Sequence, residues 1–138
     1  MIKLIIGNKG SGKTKKLIDQ VNVCVESSDG NVVCIEKEPK LTYDVSSKAR
    51  LLETETYLIN GHKAFYGFLA GICAGNYDVT DVLVDATFKI VGREYEKLPQ
   101  FFEMLSQLSE ATEVNFYFTI SCDKEDLPVE IFDYCEEL

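Results

Sequence analysis

Short runs of β-branched and other apolar residues alternate along this chain with segments of helical periodicity. The strand-like runs are Ile2–Ile6, Asn31–Glu36, Asp81–Asp85 and Val114–Ser121. In the segments between and after them, apolar residues recur every three or four positions, as on one face of a helix; these segments cover 12–27, 61–75, 98–108 and 127–138. Because such alternation is typical of a parallel sheet covered by helices, the pattern predicts one α/β domain over residues 1–138, with three layers and a mainly parallel central sheet.

The segment between 37 and 56 has the weakest pattern in the chain. It is polar and contains Pro39, which interrupts regular structure. Only Ala49–Glu53 is suited to a short strand at the edge of the sheet. We expect the rest of this segment to be a loop that rises from the carboxyl edge of the sheet.

The net charge and the lengths of the apolar runs argue against nucleic acids and membranes as partners. The chain has 138 residues, with 14 Lys and Arg against 23 Asp and Glu and a formal net charge of −9. This acidic balance disfavours a surface that binds nucleic-acid phosphates without sequence preference. No apolar run approaches the roughly 18–20 residues that span a bilayer, and the N-terminus lacks a signal-peptide core. We therefore expect no membrane insertion and a cytoplasmic location.

The five cysteines do not form a recognisable metal or disulfide pattern. They are odd in number, scattered, and include no Cys-x-x-Cys pair. Four of them have apolar neighbours, as in Val-Cys-Val and Val-Cys-Ile, where a free thiol behaves as a small hydrophobic side chain. The sequence predicts reduced cysteines in the core.

A glycine-rich segment, here called the glycine loop, follows the first strand and opens the first helix. It matches the pattern G-x-x-x-x-G-K-[ST] at every defined position, through Gly7, Asn8, Lys9, Gly10, Ser11, Gly12, Lys13 and Thr14. In such a loop the backbone N–H groups converge on phosphate oxygens, and the helix start adds partial positive charge. The lysine reaches the β- and γ-phosphates, and the final hydroxyl binds Mg²⁺. These residues predict a site for a nucleoside triphosphate with Mg²⁺.

Acidic residues end two of the later strands, and in a parallel sheet ligands bind at the carboxyl ends of the strands. Asp85 ends an apolar strand, the position of an acid that helps to hold Mg²⁺. Glu36 ends the second strand and is a candidate for activating the attacking water; an exposed acidic loop residue is the alternative. Ser121 and Thr87 are weaker candidates at the same edge. The catalytic candidates are thus Glu36 and Lys13.

The glycine loop, the strand that ends in Glu36 and the strand Asp81–Asp85 together resemble the additional-strand, RecA-like division of P-loop ATPases. In that division a further strand lies between the phosphate-loop strand and the strand that carries the metal-binding acid. Ile35-Glu36-Lys37-Glu38-Pro39 is similar to the acidic Ile-Glu-Asp-Pro segment of the twitching-motility retraction ATPases called PilT, and Asp81-Val-Leu-Val-Asp85 is similar to their metal-binding strand. The whole chain resembles small, uncharacterised bacterial P-loop proteins of PilT-like type.

This resemblance implies binding of ATP and Mg²⁺ by the nucleotide-binding core. It does not imply a filament motor, because the retraction ATPases have Gly-Glu where this chain has Asp85-Ala86, and because their set of arginines is missing. RecA-like cores often share a nucleotide between neighbouring subunits. The resemblance therefore leaves a homo-oligomer or an unknown protein partner open.

The leading hypothesis is a Mg²⁺-dependent ATP-binding protein that acts as a slow nucleoside-triphosphate hydrolase or as a nucleotide switch. One alternative is a kinase that transfers the γ-phosphate of ATP to a small acceptor such as a nucleoside. Against a kinase of the many-arginine type, the chain has only Arg50 and Arg93. We interpret them as solvated surface charges, with an arginine finger as the alternative. The other alternative is a nucleotide-gated interaction module that does not hydrolyse, which the missing Glu beside Asp85 keeps open.

Overall fold

The computed structural model describes residues 1–138 and contains a single sheet of six parallel strands in the order β3-β2-β4-β5-β1-β6. The strands are β1 (Ile2–Gly7), β2 (Asn31–Glu36), β3 (Arg50–Glu53), β4 (Val79–Val84), β5 (Asn115–Ser121) and β6 (Glu136–Glu137). The α-helices are α1 (Lys13–Ser27), α2 (His62–Gly75), α3 (Thr87–Val91) and α4 (Leu98–Thr112). The predicted α/β class with a parallel sheet is confirmed.

The helices cover both faces of the sheet, because neighbouring residues in a strand point to opposite faces. On one face, Leu17 and Val21 of α1 pack in a cluster that includes Tyr117 of β5. On the other face, Phe65 of α2 and Phe102 of α4 belong to a larger cluster that includes the neighbouring strand residues Phe116 and Phe118. The result is three layers with a hydrophobic core on each side of the sheet.

Strand order determines which loops meet at the carboxyl edge. β5 lies between β1 and β4, with Gly7 opposite Ser121 and Val84 opposite Phe118. β2 lies on the other side of β4, with Ile35 opposite Val84. The segments that follow β1, β2, β4 and β5 therefore leave the sheet side by side.

The predicted closing helix over 127–138 is wrong. This region forms two 3₁₀ segments, Lys124–Asp126 and Val129–Asp133, and the short strand β6, which pairs with β1. Leu127 has φ −80° and ψ 141°, outside the helical region, as is common before a proline, so no helix crosses into Pro128. At the other end, Glu136 and Glu137 are extended because they pair with Lys3 and Leu4 of β1. Ile131 is still fully buried, so the apolar spacing marked a packed segment without a helix.

Smaller expectations have mixed outcomes. The edge strand predicted within Ala49–Glu53 exists as β3, which pairs with β2 in parallel. The strand predicted to begin at Asp81 begins two residues earlier, at Val79, and the five-residue helix α3 was too short for its periodicity to be seen. Four of the five cysteines are buried, as predicted, and Cys73 is half-buried. None of the helices is long and apolar enough to cross a membrane.

Candidate functional site

The glycine loop connects β1 directly to α1 and takes backbone conformations that favour glycine. Gly10 and Gly12 both have φ of +84°, in the left-handed region, and Gly12 is the N-terminal cap of α1. Gly7 has a different reason to lack a side chain, since a Cβ there would collide with the Ser11 hydroxyl. The three glycines let the chain turn tightly from the strand into the first turn of the helix.

Side-chain hydrogen bonds from Lys13 and Asn8 help to hold the glycine loop in its present form. The Lys13 Nζ donates to the carbonyl oxygen of Asn8 at 3.0 Å, so the lysine side chain crosses the loop that precedes it. The side-chain amide of Asn8 donates to the Asp123 carboxylate, which ties the loop to the segment after β5. The Lys13 ammonium group thus lies over the loop, held there by a single exposed hydrogen bond.

Asp85 lies immediately after β4 and faces the first turn of α1. Its two carboxylate oxygens accept from the Thr14 hydroxyl at 3.3 and 3.2 Å. Thr14 and Asp85 are separated by 71 residues in the chain, and they meet because the carboxyl ends of β1 and β4 share one edge of the sheet. A hydroxyl and a carboxylate are oxygen ligands of the kind that Mg²⁺ prefers, so this pair could hold that ion.

A buried threonine fixes the position of the Asp85 carboxylate. The Thr119 hydroxyl donates to Asp85 Oδ1 at 2.8 Å and accepts the backbone N–H of Ala86 at 2.7 Å. Ala86 itself has φ 50° and ψ 56°, a left-handed conformation that is uncommon for a residue with a side chain. Thr119 is not among the residues predicted from the sequence; a polar residue near the carboxyl end of an otherwise apolar strand was the available signal.

Glu36 lies at the carboxyl end of β2, only 4% exposed. Its carboxylate accepts the backbone N–H groups of Lys40 and Leu41, at 2.9 and 3.4 Å. Burial raises the pKa of Glu36, and the two backbone hydrogen bonds partly oppose that shift. Glu36 therefore shapes the loop after β2, and it also lines the cleft described next. It is not the exposed loop acid that the sequence analysis held as the alternative.

A cleft of about 670 Å³ lies over the carboxyl edge of the sheet. It brings together Gly10, Gly12, Lys13 and Thr14 of the glycine loop with Glu36, Asp85, Thr119 and Ser121. Its basic lining residues are Lys9, Lys13, Lys15, Lys37, Lys40, Lys89 and Arg93, against the acidic residues Glu36, Glu38 and Asp85. Half of the chain's 14 basic residues thus line one cleft of an acidic protein.

Arg93 lines this cleft and is exposed, as expected of a solvated surface charge. Its Nη1 donates to the backbone carbonyl of Ser121 at 2.9 Å, and its guanidinium lies 5.0 Å from the centre of the Phe88 ring. Arg50 lies elsewhere, in a smaller cavity at the edge of the sheet with Asn31 and Val79. His62, the only histidine, is the first residue of α2.

The fold and the site define an α/β protein with a basic cleft at the carboxyl edge of a parallel sheet, built around a glycine loop and a Thr–Asp pair. No group of three or more His, Cys, Asp or Glu side chains suited to a metal ion is present. No protein-family model matches the chain, and no curated protein is significantly similar to it in sequence.

Proposed function

We propose that this protein binds ATP together with Mg²⁺ and acts as a slow ATPase or as a nucleotide switch. One observation carries the proposal: a complete G-x-x-x-x-G-K-[ST] motif spans a strand, a loop and a helix, and its final threonine faces the carboxylate that follows β4. The base preference for adenine rests on the resemblance to P-loop ATPases alone.

The glycine loop supplies the groups that a polyphosphate needs. Backbone N–H groups at the start of α1 are free of intrahelical partners and carry partial positive charge. The Lys13 ammonium group donates to the Asn8 carbonyl oxygen. A phosphate oxygen, which carries negative charge, would replace this carbonyl as the stronger acceptor. In this proposal Gly7, Asn8, Lys9, Gly10, Ser11 and Gly12 form the cradle around the phosphates, and Lys13 and Thr14 contact them directly or through the cation.

Thr14 and Asp85 fit a divalent cation by the chemistry of their donors. Mg²⁺ is commonly bound by one or two protein oxygens, with the remaining ligands taken from water and substrate phosphates. When bound, the cation would neutralise charge on the phosphate oxygens. Thr119 supports this role, since its hydroxyl orients the Asp85 carboxylate toward Thr14.

Strand order supports the resemblance to the additional-strand division. The strand β5 lies between the strand of the glycine loop and the strand that ends before Asp85. A PilT-like identity remains part of the proposal. The chain differs from the PilT pattern in two respects: Ala86 follows Asp85 where PilT proteins have Gly-Glu, and the cleft contains one arginine, Arg93.

Slow hydrolysis or switching suits the surroundings of Glu36. Both of its oxygens already accept backbone N–H groups, so the carboxylate has less capacity to take a proton from water. The loop that it shapes, which begins at Lys37, lies against the cleft and is the segment we expect to respond to nucleotide. A Glu36→Gln variant with unchanged turnover would show that Glu36 has no chemical role, and absence of turnover in the wild type would favour the non-hydrolysing alternative.

The test is calorimetric titration of ATP, GTP and ADP, each with Mg²⁺, into the wild type and Lys13→Ala. Lys63→Ala is the matched control, because Lys63 is exposed and lies outside the cleft. We expect the wild type and the control to bind ATP equally and Lys13→Ala to lose binding. Phosphate release under the same conditions separates an ATPase from a switch. Absence of binding by the wild type, or equal binding by Lys13→Ala, would overturn the proposal.

A further inference from the structure

β3 is an edge strand, so one of its sides has no neighbour in the sheet. It pairs with β2 along all four of its residues, and it stands at the end of the strand order. An edge strand presents a row of unpaired backbone N–H and C=O groups that can pair with another chain. Leu51 and Leu52 of this strand are only half-buried. The outer side of β3 is therefore a place where an extended chain can be added to the sheet.

A cavity of about 440 Å³, here called the edge cavity, lies where β3 and α2 meet. Its lining on these two elements and just before β3 includes Lys48, Arg50, Leu52, Gly71, Ile72 and Gly75. Arg50 and Leu52 line it together because side chains two positions apart lie on the same face of a strand. Leu51, between them, packs against the core on the opposite face of the sheet. A chain added to β3 would therefore place alternate side chains beside the edge cavity.

The glycines of α2 leave the wall of the edge cavity open. Gly71 and Gly75 are exposed, and no atom lies within 4 Å of the position that a Cβ would take at either residue. Neither glycine has a positive φ, so the backbone of the helix does not require glycine there. Glycine is also less favourable than alanine inside a helix. The space beside Gly71 is thus available to the side chains of a ligand.

The charge of the edge cavity is positive and has no carboxylate to balance it. Lys48 and Arg50 are its charged residues, and no Asp or Glu lines it. Four of the seven basic residues outside the glycine-loop cleft have a partner near the chain's acidic groups: Lys3, Lys97 and Lys124 pair with glutamates, and Lys16 donates to Leu138. Lys48 and Arg50 form no ion pair and no side-chain hydrogen bond. The edge cavity is therefore complementary to negative charge.

We propose that the outer side of β3 binds an extended acidic peptide segment of another protein by strand addition. In this mode backbone hydrogen bonds provide affinity, and sites for alternate side chains provide specificity. An acidic side chain lies beside Arg50, because opposite charges on neighbouring strands attract. An apolar side chain lies two positions away, beside Leu52. The segment thus contains an acidic and an apolar residue separated by one residue, and its binding requires no nucleotide.

The first experiment selects binding peptides from a phage-displayed library of random short peptides, with the wild-type protein immobilised. We expect enrichment of Asp or Glu with Ile, Leu or Val two positions away. Enrichment of peptides without this pattern, or no enrichment at all, overturns the proposal. In that case Lys48 and Arg50 act only as charges that keep an edge strand from pairing with other sheets.

The second experiment tests whether the edge cavity is the place of binding. Gly71→Leu fills the cavity from α2. Gly67→Leu is the matched control, because Gly67 lies in the same helix, is exposed, has the same open space and does not line the cavity. Fluorescence polarisation of a fluorescein-labelled selected peptide should show loss of binding for Gly71→Leu and unchanged binding for Gly67→Leu. Circular dichroism checks that both variants are folded, and equal affinities of the two variants overturn the proposal.

The role of charge is measured with the same labelled peptide. Arg50→Gln should lower the affinity by about five-fold, the effect of one pair of opposite charges across neighbouring strands. Lys63→Gln is the control, since Lys63 is exposed and lies outside the edge cavity. Replacement of the acidic residue of the peptide by Gln should lower the affinity for the wild type and leave the affinity for Arg50→Gln nearly unchanged. Equal affinities of the Arg50 and Lys63 variants would contradict the acidic specificity.

Sedimentation velocity distinguishes a partner protein from a second copy of this chain. We expect the wild type without peptide to sediment as a monomer. A dimer that Gly71→Leu dissociates and Gly67→Leu retains would show that the edge cavity is covered by a second copy, and the proposal of an acidic peptide would be overturned. Peptide selection and sedimentation are carried out without nucleotide, so their results do not depend on the proposed ATP binding.

Discussion

At the residue scale, the buried hydroxyl of Thr119 connects the Asp85 carboxylate with the backbone N–H of Ala86, just after β4. Thr119 accepts from the Ala86 backbone and donates to the Asp85 carboxylate, and its side chain is 1% exposed. Hydrogen bonds to charged groups contribute about 1.5–3 kcal/mol, more than neutral ones. Asp85 can therefore face Thr14 without a positively charged partner of its own.

Substitution of Thr119 tests this arrangement. Thr119→Val keeps the shape but removes both hydrogen bonds, so we expect a loss of about 1–3 kcal/mol of unfolding free energy and a weaker Mg²⁺ dependence of nucleotide binding. Thr119→Ser keeps the hydroxyl and should retain most of both. Urea unfolding and Mg²⁺ titrations of the ATP complex measure the two effects. Equal behaviour of the valine and serine variants would contradict the positioning role.

Glu36 provides a prediction on pH. Because burial raises its pKa in the folded state, protonated Glu36 favours the folded form. The stabilisation is fully present below the ordinary glutamate pKa and is lost as pH rises through the raised value. With Glu36→Gln as the reference, we expect the wild type to gain unfolding free energy relative to the variant as pH falls from 7 toward 4. A difference that stays constant, or that changes in the opposite direction, would contradict this; urea unfolding at each pH measures it.

At the scale of elements, the turn between α1 and β2 packs against the segment before β4. A Cβ on Gly30 would collide with the backbone carbonyl of Asp78, the same oxygen that accepts the N–H of Asn31 at 2.7 Å. Neither backbone can move without breaking the start of the pairing between β2 and β4. The glycine at this turn therefore depends on a contact with a distant segment.

Two glycine substitutions should have opposite effects on stability. Gly30→Ala should destabilise by about 1–3 kcal/mol, since backbone must shift to make room. Gly71 lies within α2, is exposed, and has no atom within 4 Å of the position of a Cβ, so Gly71→Ala should stabilise by about 0.5–1 kcal/mol. Urea unfolding of both variants is the measurement. If both variants gained stability or both lost it, the prediction that the Asp78 carbonyl excludes a side chain at Gly30 would be contradicted.

Sequence patterns predicted strands and helices correctly where residues close in the chain decide the conformation. The strands β1, β2 and β5 are largely apolar runs, and the strand–loop–helix order around the glycine loop follows from its glycines and the periodicity of α1. The same reasoning gave a wrong prediction for the chain after β5. Leu127, Ile131 and Cys135 have helical spacing and are buried, but they lie in 3₁₀ segments and turns, and the residues after them pair with the distant strand β1.

At the scale of the whole molecule, the sheet is shared by two cores on its opposite faces. Leu17 is fully buried in the core beneath α1, and Phe102 is fully buried in the core beneath α4. Neighbouring strand residues such as Tyr117 and Phe118 contribute to different cores. Loss of either core removes support from the same strands.

We expect the molecule to unfold in one transition whichever core is weakened. Leu17→Ala should cost about 2–5 kcal/mol and Phe102→Ala about 3–5 kcal/mol of unfolding free energy, in both cases without a stable intermediate. Circular dichroism and the fluorescence of the seven tyrosines should report the same midpoint. Two separate transitions, or midpoints that differ between the probes, would show that the cores unfold independently.

The sequence by itself determined the α/β class, the glycine loop and the candidate acids Glu36 and Asp85, because each depends on residues that are close in the chain. Tertiary structure alone decided that β5 lies between β1 and β4, that Thr14 faces Asp85, and that Thr119 holds Asp85. These contacts join segments many residues apart, and local periodicity carries no information on the order in which strands pair. The positive charge of the cleft also depends on tertiary structure. The chain has a net charge of −9, and half of its basic side chains come to lie at one edge of the sheet only when the strands assemble.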